Sequence, residues 1–231
     1  MRRRLFLLAA LVACALIPNR LAAAGDKWEK TISAFEAQDR EAMPKPGVIV
    51  FVGSSSIRGW RSLAEDFAPL AVVNRGFGGS QIEDAVRYAE RIVIPYKPSR
   101  VVIYSGDNDI WAGKTPETVA ADFGEFVTKV RPALPAVPVY FIAIKPSISR
   151  WSVWPEMKKA NELVKKFAAK TPGVEYIDIV NPMLGAEGRP RPELFAEDGL
   201  HLNEAGYELW TSVVSPFLTE QVKTETGALT R

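Results

Sequence analysis

Five short apolar runs rich in β-branched and aromatic residues punctuate the chain, at 48–52, 71–73, 101–104, 137–144 and 174–179. They are nearly continuous in hydrophobicity rather than alternating, which is the pattern of strands covered on both faces, as in a parallel sheet. Between them the spacing changes to a helical period over 26–38, 81–92, 116–130, 155–169 and 203–218. Two starts are well marked: Thr115-Pro116-Glu117 sets a capping hydroxyl before a proline at the first helical position, and Asn203-Glu204 caps the final helix. The stretch 182–192, with three prolines and two glycines, reads as a long loop before that helix. No repeat and no linker interrupts the alternation. The expected fold is therefore α/β: one domain, 25–231, built as a three-layer α/β/α sandwich around five parallel strands.

The first 24 residues stand apart. Met1-Arg2-Arg3-Arg4 is basic, an apolar run follows from Leu5 to Ile17, and Ala22-Ala23-Ala24 precedes Gly25. This is the three-part layout of a secretory signal, with cleavage expected after Ala24 and a periplasmic or secreted product. The apolar run is short of the roughly 20 residues that a bilayer-spanning helix needs, so no stable membrane span is expected. Leu11-Val12-Ala13-Cys14 keeps open a second reading, a lipobox whose cysteine carries a lipid anchor. With cleavage at Ala24 the sole cysteine is lost, which excludes disulfides, thiolate catalysis and a cysteine metal site.

The leader also distorts the charge balance. Four of the 29 basic residues and none of the 27 acidic ones lie in 1–24, leaving 25 against 27. Lysines and arginines are scattered through the remainder, so nucleic acid is not an expected partner.

In open parallel sheets ligands bind beyond the carboxyl ends of the strands. There this chain carries Gly53-Ser54-Ser55-Ser56 after the first run, Asn74-Arg75-Gly76-Phe77-Gly78-Gly79-Ser80 after the second, and Ser105-Gly106-Asp107-Asn108-Asp109 after the third. Asp198-Gly199-Leu200-His201 follows the fifth. His201 is the only histidine, so imidazole acid/base chemistry near neutral pH must pass through it. Asp198, three residues earlier, is spaced to reach back to the ring, fix its tautomer and stabilise the imidazolium. A serine hydroxyl needs such a base to become a nucleophile. Each segment alone reads equally well as a polar turn.

Taken in order, these segments resemble the blocks of the SGNH (GDSL-like) hydrolases over nearly the whole chain after 24. Phe51 to Trp60 is similar to the first block, and alignment on Gly53 and Gly59-Trp60 sets the family nucleophile on Ser55; Ser54 or Ser56 becomes the nucleophile if the register slips. Gly79 matches the second-block glycine and Asn108 the third-block asparagine, whose backbone N–H and side-chain amide the family uses as oxyanion donors. Asp198 and His201 match the Asp-x-x-His block. The resemblance implies acyl transfer through an acyl-enzyme on Ser55, without cofactor, on a small-molecule or glycan ester. It equally admits a carbohydrate O-deacetylase. A non-catalytic binding module is the alternative from another class, because the family's Asp before the nucleophile is Ser54 here. No Gly-x-Ser-x-Gly elbow is present, which argues against an ordinary α/β-hydrolase.

Other residues at the same edge carry open readings. Asp107 and Asp109 lack the loop pattern of a calcium site, so no metal is expected, and Asp109 is read as stabilising its own turn. Trp60, Trp111, Trp151 and Trp154 offer flat apolar rings for an acyl or sugar group, or simply pack their loops. In Lys145-Pro146-Ser147-Ile148-Ser149-Arg150 the arginine can meet an anionic substrate group, or the segment is a solvated loop.

Overall fold

The computed structural model describes residues 26–219; the expected signal segment and Cys14 lie outside them. In chain order the elements are α1 (Glu29–Glu41), β1 (Ile49–Gly53), α2 (Ser55–Arg58), α3 (Leu63–Asp66), β2 (Val72–Gly76), α4 (Ile82–Ile92), β3 (Arg100–Tyr104), α5 (Asp107–Trp111), α6 (Pro116–Val130), β4 (Val139–Ile142), α7 (Trp154–Ala168), β5 (Val174–Ile177), α8 (Val180–Met183) and α9 (Glu204–Thr219). The five strands form one parallel sheet in the order β2-β1-β3-β4-β5.

Every expected strand and long helix is present. The 116–130 helix matches residue for residue, because Thr115 Oγ1 accepts the Thr118 N–H at 3.1 Å and Pro116 opens the first turn. The sequence pattern misses α2, α3, α5 and α8, helices of four or five residues that are too short to show a period. It also ends the second strand at residue 73, whereas β2 runs on to Gly76. Asn74 and Arg75 look like turn residues but are absorbed by the fold. The Asn74 amide donates to the Ile57 carbonyl at 2.6 Å, and the Arg75 guanidinium is buried against Asp39 and Tyr96. The long loop is partly structured, with α8 at its start and a bridge between Leu184 and Pro190.

Alternate residues of each strand serve opposite layers. Val50, Val52, Val101, Ile103, Val139 and Phe141 join the core under α1, α4, α6 and α7. Ile49, Phe51, Val102, Tyr104, Tyr140 and Ile142 join the core under α2, α3, α8 and α9. Full burial of such side chains contributes about 1.5–3 kcal/mol each relative to exposure, which explains why the strands are apolar on both faces. Among the described residues, no helix is long and apolar enough to cross a membrane.

Candidate active site

Strand order decides where the site lies. From β1 the chain moves to one side, to β2, then crosses back to β3 on the other, so the order reverses between β1 and β3. That switch point opens a crevice at the carboxyl ends. The register brings three strand ends level there, with Gly53 opposite both Gly76 and Tyr104. Gly53 has φ +139°, and a Cβ built on it would lie 1.9 Å from the Tyr104 carbonyl oxygen. Only glycine fits between these strands.

The chain turns at once into α2, and the three serines separate. Ser54 is 0% exposed and Ser56 is 1% exposed, while Ser55, at the first position of α2, is partly open to solvent. Ser55 thus stands at a helix start, where backbone N–H groups have no intrahelical partner.

The loop after β2 closes on this turn. Phe77 N–H donates to the Gly53 carbonyl at 2.8 Å, and a Cβ on Gly76 would lie 2.2 Å from the Arg58 nitrogen. Gly79 is exposed with φ +80°. Asn108, on α5, donates one amide hydrogen to the Ser80 carbonyl at 2.9 Å, which orients the side chain beside Gly79 and leaves a second hydrogen to donate. Asp107 and Asp109 lie either side of it, both buried. Asp109 does not serve its own turn, as its sequence position suggests. Its Oδ1 instead accepts the Ile82 N–H at 3.1 Å and so joins α5 to the start of α4. Burial pushes the Asp109 carboxyl up to about 6.

His201 and Asp198 approach from the segment before α9. His201 Nδ1 lies 2.5 Å from Asp198 Oδ2, leaving Nε2 for other partners. Asp198 Oδ1 accepts the backbone N–H groups of Leu200 and His201, each at 2.9 Å. The carboxylate is thereby fixed in a tight turn, and its hydrogen bond to the imidazole, helped by those backbone donors, holds it down to about 2. The pair is not enclosed: the His201 side chain is 42% exposed and that of Asp198 48%. Contacts on both sides attach this segment and α9 to the rest. Ser149 N–H donates to the Gly199 carbonyl at 3.1 Å, and Tyr207 of α9 donates its hydroxyl to the Ser56 carbonyl at 3.0 Å.

The sequence pattern misplaces Lys145. It belongs to no solvated loop; it is 1% exposed, just beyond β4. Its Nζ donates to Tyr104 OH at 3.0 Å, Ser56 Oγ at 3.2 Å and Asp107 Oδ2 at 3.2 Å. Arg150 Nη1 stands 3.3 Å from the same carboxylate oxygen, so it too is engaged by the protein. Burial alone would raise the Asp107 carboxyl, but the Lys145 and Arg150 charges outweigh it and hold the group below its ordinary value. The one available signal was negative: the 137–144 apolar run leads directly into a lysine with no polar residue between. Of the tryptophans, Trp60 and Trp154 are core residues, and Trp151 stacks on Trp154. Trp111 alone of the four is largely exposed, at 54%, one helical turn from Asn108, with the Arg150 guanidinium 5.5 Å from its ring.

Similar proteins share this architecture. A protein from Streptococcus pneumonia, provisionally described as a platelet activating factor, superposes with a TM-score of 0.75 at 19% identity, over 82% of this chain and 92% of that one. A GDSL-like lipase from Bacteroides thetaiotaomicron gives 0.70 at 17% identity, over 80% and 96%. A catalytic mutant of an acetylxylan esterase from Geobacillus stearothermophilus gives 0.60 at 18% identity, over 77% and 98%. No curated protein matches. The sequence model of the GDSL-like lipase/acylhydrolase family matches residues 44–209, a span that runs from before β1 into α9 and takes in every loop at the crevice. The chain belongs to the GDSL-like lipase/acylhydrolase family.

Proposed function

We propose that this protein is a serine hydrolase of carboxylic esters, with Ser55 as nucleophile, His201 as its general base and Asp198 as the group that orients the imidazole. One observation carries the reading: the only imidazole in the chain is held through Nδ1 by a carboxylate that is itself fixed by two backbone N–H groups. Nε2 is then the basic nitrogen, the one that a Ser-His-Asp mechanism requires. As Ser55 Oγ attacks the ester carbonyl, His201 takes its proton and then protonates the departing alcohol, leaving an acyl-enzyme. Water repeats the sequence and restores Ser55. The backbone N–H groups of Ser55 and Gly79 and the free Asn108 amide hydrogen stabilise the oxyanion in both steps. No cofactor enters.

Trp111 favours a glycan ester over a simple one. A large exposed ring one turn from the oxyanion donor offers a face to a sugar, and Arg150 holds it in place. On this reading the reaction is removal of an O-acyl group from a carbohydrate. The N-terminal 24 residues direct export, with Cys14 anchoring as the minor route, and N-terminal sequencing of the mature protein distinguishes them.

The test is turnover of p-nitrophenyl acetate and of acetylated xylo-oligosaccharides by the wild type, Ser55→Ala and Trp111→Ala. Ser55→Ala should lose activity on both. Trp111→Ala should raise KM for the acetylated sugar and leave p-nitrophenyl acetate unchanged. Equal effects on the two substrates would remove the glycan reading, and activity retained by Ser55→Ala would remove the serine mechanism.

A further inference from the structure

Beside the nucleophile turn lies a buried cation that the two-step chemistry does not use. Lys145 reaches three elements with one ammonium: α2 through Ser56 Oγ, the end of β3 through Tyr104 OH, and α5 through Asp107 Oδ2. Each recipient adjoins a site residue or its strand. Ser56 follows Ser55, Asp107 precedes Asn108 and accepts the Asn108 N–H at 2.9 Å, and Tyr104 is level with Gly53 in the sheet.

A lysine near a serine raises the question of a Ser–Lys pair in which the amine is the base. The contacts argue otherwise. All three ammonium protons have acceptors, one of them a carboxylate, so the nitrogen has no lone pair to offer Ser56. Ser56 is 1% exposed and its carbonyl is held by Tyr207, so its hydroxyl faces the interior.

We propose that Lys145 is a positioning residue of the hydrolytic site: it ties the turn carrying Ser55 to the helix carrying Asn108, so that nucleophile and oxyanion donor keep one fixed relation. This rests on the roles given to Ser55 and Asn108 above. The link matters because the two residues come from segments after different strands, and an error of 1 Å in such a relation can cost about 10²-fold in rate. A lysine suits the position because a single tetrahedral group meets three acceptors converging from different directions. An apolar side chain of similar length would leave the Ser56 hydroxyl and the Asp107 carboxylate without it.

The experiment separates positioning from mere charge balance. Lys145→Met, Lys145→Met with Asp107→Asn, and Ser56→Ala are compared for Tm, for kcat and KM on p-nitrophenyl acetate, and for the rate of phosphonylation of Ser55 by a fluorophosphonate. Lys145→Met should lower Tm and reduce kcat about tenfold to a hundredfold, with KM within about twofold. The double variant also takes from Arg150 the carboxylate it faces, so Tm should fall at least as far as in Lys145→Met, and kcat and the phosphonylation rate should stay low. Ser56→Ala, which keeps the charge pair and the fold, should lower both rates several-fold. Wild-type kcat in either Lys145 variant, or wild-type rates in Ser56→Ala, would overturn the proposal. If the Lys145 variants fail to fold, Ser56→Ala decides it alone. A wild type phosphonylated at Ser55 beside equally reactive variants sinks only the role of Lys145. A wild type that is not phosphonylated sinks the serine mechanism and this inference with it.

Discussion

The two halves of the site are built in opposite ways. Around Ser55 the fold encloses most of the polar groups: Ser54, Ser56, Asp107, Asp109 and Lys145 are buried while Ser55 itself is partly open, and Gly53 admits no side chain between β1 and β3. The His201–Asp198 pair, by contrast, sits on a tight turn with both side chains more than two-fifths exposed. The first half takes its geometry from the register of the sheet and a buried polar network. The second takes its geometry from four consecutive residues and the contacts of Gly199 and Tyr207. Changes at Gly53 or Lys145 in the enclosed half should therefore disturb folding and rate together, whereas changes in the open half should disturb rate alone.

The sharpest way to break this comparison is Asp198→Asn. Asparagine can still accept the Leu200 and His201 N–H groups through Oδ1, so the turn and Tm should hold. Its amide presents a donor where His201 Nδ1 now meets a carboxylate, which favours the wrong tautomer. The expected loss in kcat is about 10²–10⁴-fold. A fall in Tm of many degrees would show that the open half is structural after all. The Asp198 carboxyl, held at about 2, stays ionised across the working range and so remains a partner for the imidazole as pH falls.

Gly53→Ala addresses the enclosed half. A methyl group 1.9 Å from the Tyr104 carbonyl at φ +139° forces strands apart, with an expected loss of about 4 kcal/mol or more by denaturant unfolding. A stability change under about 1 kcal/mol would mean that this crossing tolerates movement.

Asn108→Ala lies between the two. It removes the bond to Ser80 and an oxyanion donor together, so kcat should fall about 10²–10³-fold while stability falls by only about 1 kcal/mol. Unchanged kcat would remove Asn108 from the oxyanion hole.

The smallest effect is expected at Asp109, whose carboxyl is raised from 3.8 to about 6. The folded state binds this proton more tightly than the unfolded one, so the contribution of the group to stability is greatest below pH 4. That contribution is lost as pH rises through about 6. Asp109→Asn keeps an acceptor for Ile82 and should gain about 2 kcal/mol over the wild type at pH 8, but not at pH 4. Equal differences at both values would show that the buried carboxylate is fully compensated by Lys114, whose Nζ lies 3.4 Å from Asp109 Oδ1.

The contrast also explains what could be read from the sequence. Strands with both faces apolar announce a covered parallel sheet, and long helices announce themselves by period and cap. Asp198 and His201 were legible because their relation is local, three residues along one turn. Which of the three adjacent serines stands open was not legible, since burial alone distinguishes them and burial is a property of the folded chain. Lys145 was misread because its partners Ser56, Tyr104 and Asp107 are remote in sequence and meet only through the sheet. Asp109 failed in the same way, bonding to Ile82 rather than to its own turn.

The central claim, that Ser55 is the nucleophile activated by His201, is tested most directly by exposing the native protein to a fluorophosphonate and locating the adduct by peptide mass spectrometry. The account predicts a single adduct on Ser55, absent from Ser55→Ala and formed far more slowly in Asp198→Asn. An adduct on Ser54 or Ser56, or none on this turn in the active protein, would contradict it.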